Sequence, residues 1–276
     1  MRLFAAALLT AVLASCAGSG VRGTAVGDAP WEPAPGLPGM MTASQYGDPA
    51  VGPYQVLIKF PAGMVVQPHY HKVDEFATVV SGSVIFGQGD TLDDVKAVEV
   101  GAGGYVSIPA GVAHWAKCKT EAVIARFGNG PRELTSCGPD KPAPGKGAGV
   151  KAVQSRDVPW EASDLAPGAA SCFPYGDPKT GPHMLRIRFP AGITRPPHWH
   201  SADECVTVLS GRLILGQGEK VDEAKGTALA AGGTFIVPKT LPHWLVTKED
   251  STFVVFVSGA RDIVYVNPAD DPKNRK

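Results

Sequence analysis

Short runs of apolar and polar residues, cut off by Gly and Pro, set the texture of this chain. "YQVLIKF" (54–60), "FATVVSGSVIFGQG" (76–89), "GGYVSIPAG" (103–111) and "AVIARFG" (122–128) are apolar or alternate with period two. That is the signature of strands with at least one buried face. A second set follows: "HMLRIRF" (183–189), "CVTVLSGRLILGQG" (205–218), "GGTFIVPKT" (232–240) and "TFVVFVSG" (252–259). Helical periodicity is weak, and only "TLDDVKAV" (91–98) and "KVDEAKG" (220–226) predict a turn or two of helix. Regularly spaced short strands with glycine turns predict an all-β protein, a sandwich or small barrel in each set. The 33 glycines and 25 prolines agree.

The two sets are one pattern written twice. "PWE" at 30–32 returns at 159–161, "YGDP" at 46–49 returns at 175–178, and "FPAG" at 60–63 returns at 189–192. "GQG" at 87–89, "AGG" at 102–104 and "HW" at 114–115 return at 216–218, 231–233 and 243–244. The offset is 129 throughout, with no insertion or deletion from Pro30 to Trp115. A period this long means two copies of one domain, not a solenoid. Residues 40–136 form the first domain and 158–266 the second. Residues 137–157, rich in Pro, Gly and Lys, read as a linker, and 267–276 as a polar tail.

The N-terminus reads as a targeting segment. Arg2 precedes an apolar stretch, "LFAAALLTAVL", that is too short to span a bilayer. The following "LASC" (13–16) resembles a bacterial lipoprotein box, which implies cleavage after residue 15 and lipid on Cys16. An ordinary secretory signal cleaved further on is the alternative. Residues 16–39 then read as a tether, and the protein is expected in lipid-anchored form on the periplasmic side of a bacterial membrane, the outer one. Export permits disulfides among Cys118, Cys137, Cys172 and Cys205, with Cys118–Cys137 one pairing and buried free thiols the equal alternative. The formal net charge is zero and there is no basic patch, so nucleic-acid binding has no support; self-association stays open.

Candidate chemistry concentrates in the histidines. The chain has seven, and six fall in matching places: His69, His71 and His114 in the first copy, His198, His200 and His243 in the second. Glu75 and Glu204 accompany them, and only His183 lies outside. His69, His71 and Glu75 share odd parity, so on an extended strand they face one side. Three imidazoles and a carboxylate suit a divalent transition metal, with Fe or Mn favoured and Ni, Cu and Zn acceptable, one per domain. A buried carboxylate among imidazoles would carry a large desolvation penalty without a cation. Glu75 and Glu204 can also carry a proton by leaving the metal, which makes them the catalytic candidates. Tyr70 and Trp199 lie between ligand histidines and face away, as do Trp115 and Trp244; Cys118 and Thr247 are predicted to face inward, too far along the strand to ligate. Arg195, three residues before His198, reads as a solvated loop arginine with an anion-meeting role as the alternative.

These residues resemble the cupin superfamily. Its first motif runs glycine, five residues, His-x-His, three or four residues, Glu, six residues, glycine. Gly63, His69, His71, Glu75 and Gly82 fit it, and so do Gly192, His198, His200, Glu204 and Gly211. In its second motif Gly103, Pro109, Gly111 and His114 match, with Cys118 in place of Asn; Gly232, Pro238 and His243 match, with Thr240 in place of glycine and Thr247 in place of Asn. Those departures bear on turn geometry and pocket lining. The "YGDP" and "GVAHW" segments also resemble, more loosely, the cupin half of ChrR-type anti-sigma factors. The resemblance implies two tandem cupin barrels, that is double-stranded β-helix or jelly-roll folds, in a bicupin. It implies a metal-dependent oxidoreductase, a dioxygenase acting on a small oxygenated compound. A non-redox decarboxylase, lyase or isomerase is the first alternative, and a periplasmic binding or sensing module with structural metals the second.

Overall fold

The computed structural model describes residues 20–145 and 149–274. The signal and lipidation readings on residues 1–16 lie outside them. The described chain is all-β, with four antiparallel sheets and, between strands, only single 3-10 turns. The two segments expected to make short helix give such turns at Asp94–Lys96 and Glu223–Lys225. No helix among the described residues is long and apolar enough to cross a membrane.

Each copy folds as a seven-stranded sheet facing a five-stranded one. In the first copy the five-stranded sheet runs, in order, Thr135–Ser136, Val65–Tyr70, His114–Lys117, Ser83–Gln88 and Val98–Gly101. The larger sheet centres on Glu75–Ser81, Ala122–Asn129 and Pro53–Phe60. Strand parity explains how one sequence serves two cores. On Ala122–Asn129, Ala122 and Ile124 join the barrel interior, whereas Val123, Ala125 and Phe127 join a separate cluster. That cluster also takes Met184, Cys205, Val254 and Phe256 from the other copy, so it glues the halves together. Phe127 and Phe256 are equivalent residues 129 apart and meet with ring centroids 5.8 Å apart, on the pseudo-twofold relating the copies. A third cluster fills the second barrel.

The reading of 16–39 as tether and 137–157 as linker needs correction. Arg22–Thr24 is a strand, and it pairs with Thr234–Val237 of the second copy. Its repeat equivalent, Lys151–Val153, pairs with Tyr105–Ile108 of the first. Each copy thus lends its leading strand to the other's sheet. Composition hid this because three-residue edge strands are chosen by their neighbours rather than by their own propensity. The polar tail, too, holds two 3-10 turns, at Pro268–Asp270 and Pro272–Asn274.

The repeated "GQG" has a packing cause. Trp115 and Trp244 are fully buried and lie across from Gly87 and Gly216 in the sheet. A Cβ on Gly87 would sit 2.1 Å from the Trp115 ring, so only glycine fits beneath the indole.

Candidate metal centres

In each copy the three histidines converge, with ligand nitrogens all within 4.8 Å of one another. His69 and His114 stand opposite each other on neighbouring strands, and their ring centroids are 4.2 Å apart. His198 and His243 do the same at 4.4 Å. The shared parity of His69, His71 and Glu75 gives the right outcome by a different route. The strand Val65–Tyr70 ends before His71, and Glu75 opens a strand of the facing sheet. The carboxylate therefore reaches the imidazoles from the opposite wall.

Hydrogen bonds fix which nitrogen faces inward. His69 Nδ1 meets the Gln67 carbonyl at 2.8 Å, His71 Nδ1 that of Glu133 at 2.6 Å, and His114 Nδ1 that of Val112 at 2.9 Å. In the second copy His198 Nδ1 meets Pro196 O at 2.7 Å, His243 Nδ1 meets Leu241 O at 2.9 Å, and His200 Nδ1 meets Asp262 O. A carbonyl can only accept, so Nδ1 carries the proton and each Nε2 presents a lone pair to the centre. His114 Nε2 is buried with no partner at all. Burial pushes His69 down to about 3, and it likewise lowers His114, His198 and His243, so these imidazoles are neutral and fit to ligate.

Those lone pairs face carboxylates. His71 Nε2 lies 3.1 Å from Glu75 Oε2; His200 Nε2 and His243 Nε2 lie 3.4 and 3.6 Å from Glu204 oxygens. With the proton on Nδ1, each Nε2 and the carboxylate oxygen facing it are both acceptors, and they repel at this range unless a donor or a cation stands between them. The donor set and the orphaned Nε2 both fit a divalent metal, so two histidine triads, one per domain, can hold metal ions.

In the first copy a side chain already supplies positive charge. Arg132 Nη2 is 2.7 Å from His71 Nε2 and 2.9 Å from Glu75 Oε2, and its Nε is 3.3 Å from the same oxygen. Burial alone would push the Glu75 carboxyl up, but the Arg132 guanidinium holds it well below the usual carboxylate range. Arg126, on the interior face of Ala122–Asn129, adds to that field. Neither arginine was singled out in the sequence. A signal existed: Arg126 interrupts an apolar run at interior parity, and Arg132 recurs at the repeat offset as Arg261.

The remaining sequence candidates sort cleanly. Arg195 is not solvated: it lies on the strand Thr194–Trp199, 6% exposed, donating to the Leu165 carbonyl and stacked over the Tyr265 ring at 5.5 Å. Cys118 and Thr247 do face inward and are buried, and neither joins a ligand cluster. None of Cys118, Cys137, Cys172 and Cys205 is in a disulfide, so the Cys118–Cys137 bridge is not formed. His183 is a buried polar group bonded to the Gly181 and Gly259 carbonyls at 3.1 Å. Thr240, in the place of the motif glycine, takes the same left-handed turn (φ 62° against 77° at Gly111), and both residues donate N–H to the preceding ligand histidine's carbonyl at 2.7 Å.

Comparison with known proteins supports this architecture. The family model described as "Cupin domain" matches residues 56–127, and the one described as "Cupin" matches residues 173–264. An oxalate oxidase of Triticum aestivum is 36% identical over 93 residues, which is 31% of this chain and 42% of that protein. A germin-like protein of Oryza sativa subsp. japonica is 38% identical over 93 residues, 31% of this chain and 41% of that one. The chain spans about two fifths of the length of these curated relatives. Solved structures match over most of the fold. A protein of Nostoc punctiforme has a TM-score of 0.66 at 14% identity, covering 90% of this chain and 87% of its own. The salicylate 1,2-dioxygenase of Pseudoaminobacter salicylatoxidans has 0.59 at 16%, covering 84% and 77%. The oxalate decarboxylase of Lactobacillus farciminis has 0.57 at 14%, covering 88% of each.

Proposed function

This chain belongs to the cupin superfamily, one barrel per repeat, and on that premise we propose that it is a metal-dependent bicupin enzyme, an oxidoreductase of the dioxygenase kind acting on a small oxygenated organic compound. The observation that carries the reading is the arrangement of six imidazoles. Nδ1 is tied to a backbone carbonyl in every one, Nε2 points at a common centre, and a carboxylate faces each triad. A divalent iron or manganese ion held there would supply Lewis acidity and a one-electron partner for dioxygen.

The chain's own residues have definable tasks. The three Nε2 atoms and the glutamate of each copy would hold the ion. Glu75 and Glu204 can accept a proton when released from it. In the first copy Ile58, Phe60, Phe86 and Ile124 wall the cavity beside His69 and His114 and keep bulk water from it. From "LASC" we also propose lipidation at Cys16 and residence at the periplasmic face of a membrane; labelling with a radioactive fatty acid, lost in Cys16→Ala, tests that.

Metal analysis of purified protein tests the premise: close to two divalent ions per chain are expected, and none after loading with Fe, Mn, Ni, Cu and Zn in turn defeats it. Oxygen consumption by the iron-loaded protein across diketones, catechols and hydroxy acids tests the reaction class. Turnover that persists without dioxygen assigns the non-redox lyase or decarboxylase reading instead.

A further inference from the structure

The first barrel holds a cavity of about 230 Å³, the second one of about 70 Å³ beside its own triad. Substitutions at equivalent positions explain the difference. Phe253 stands for Ile124 and Leu245 for Ala116, and both bulkier side chains line the second cavity. The polar lining also differs. Around the first cavity are Arg126, Arg132 and one carboxylate, Glu75. Arg132 already pairs with that carboxylate. Arg126 makes no ion pair of its own among the described residues: the Tyr54 hydroxyl lies beside it, Glu75 acts on it from a distance but is already paired with Arg132, and its Nε is buried without a hydrogen-bond partner. The repeat equivalent of Arg126 is Val255. The second cavity has Arg261 in place of Arg132, and Arg195 is committed to the Leu165 carbonyl and the Tyr265 ring.

Two guanidiniums that share a single carboxylate in an apolar wall leave an excess positive charge, which is unfavourable unless a further anion comes to it. A metal at the triad adds more positive charge and takes the His71 lone pair, so the Arg132 Nη2 donor now spent on His71 becomes available. We propose that the N-terminal pocket is a binding site for a small organic carboxylate, held by Arg126 and Arg132 beside the histidine triad, and that the C-terminal pocket is not. The planar forks of two arginines suit a carboxylate's paired oxygens. The walls of Ile58, Phe60, Val66, Phe86 and Leu134 call for a compact apolar body on that anion. The volume falls below the roughly 300–1,000 Å³ of drug-sized pockets, which keeps the ligand small. This deepens the enzyme reading by naming a ligand class and a site, and it is tested separately.

The test is isothermal titration of benzoate into the full chain, both Mn(II)-loaded and chelator-stripped, with metal counted on the same samples. One benzoate site per chain is expected, weaker in the stripped protein, where Arg132 stays on His71. Arg126→Val, which installs the second copy's own residue, should weaken binding at least tenfold, and Arg132→Gln should weaken it as well. Benzamide, neutral and of the same shape, should not compete. No site, two equal sites, a site that survives both substitutions, or equal binding of benzamide overturns the proposal. If Arg126→Val does not fold, stoichiometry and the benzoate–benzamide difference in the unmodified protein still decide. A metal count of zero would defeat the enzyme reading alone, because the stripped protein still reports on the arginines.

Discussion

In the N-terminal barrel the strand Ala122–Asn129 turns Arg126 toward the ligand histidines; in the C-terminal barrel the equivalent strand, Ser251–Val257, turns Val255 there. The backbones correspond residue for residue, the imidazoles repeat with their carbonyl partners, and the glutamates repeat. What has diverged is the lining: Arg126 and room in one barrel, Val255 and larger apolar side chains in the other, where Arg195 is tied to the Leu165 carbonyl. Duplication preserved the metal-binding geometry in both copies while the walls drifted, so the two centres need not share a task.

The sharpest way to break the parallel is to remove one triad. His69→Ala with His71→Ala should lower metal content from about two ions to about one per chain, by elemental analysis, with the second centre intact. Loss of both ions would show that the halves do not bind independently.

Acid should come next in size. His69, His114, His198 and His243 are lowered by burial in the fold, so the unfolded chain binds more protons than the native one below the ordinary histidine value of about 6.5. Stability is therefore full above that value and falls as pH drops below it, by about 1.4 kcal/mol per pH unit for each such imidazole. Metal-free protein should lose Tm steeply from pH 6.5 downward, and metal-loaded protein should resist longer. Equal sensitivity with and without metal would count against ligation.

Glu75 and Glu204 separate the copies. Glu75→Gln takes the carboxylate partner from a half-buried guanidinium and should destabilise metal-free protein by about 3 kcal/mol in urea unfolding. Glu204→Gln leaves no such ion pair broken and should cost no more than about 1 kcal/mol. Equal losses would mean that Arg132 adds nothing. The smallest contrast is at the turn after each second-motif proline. Thr240→Gly should stabilise by about 1 kcal/mol by relieving a left-handed β-branched residue, whereas Gly111→Thr should destabilise by a similar amount.

Much of this was legible in the chain. The central strands announced themselves because continuous apolar runs report a wall with two apolar sides, and the eight ligand candidates because the repeat multiplied a weak coincidence into a strong one. What stayed hidden depended on tertiary partners. The strands Arg22–Thr24 and Lys151–Val153 have ordinary compositions and exist because a sheet edge in the other copy receives them. Arg195 looked like a loop residue because, three residues from His198, regular alternation would turn it to the opposite face; the bulge between Arg195 and His198 is what brings it inward. Arg132 sits after the last strong strand of its copy, where no period could aim it at His71.

The exchanged leading strands bear on how the molecule is made. A ribosome completes the first barrel's ligands by residue 114, yet the edge beside Tyr105–Ile108 stays open until Lys151–Val153 has been synthesised. Arg22–Thr24, made before either barrel, must wait for Thr234–Val237 of the second. Each copy is thus clasped by a strand of the other, and a cut between the repeats would give two fragments that each carry the other's missing edge.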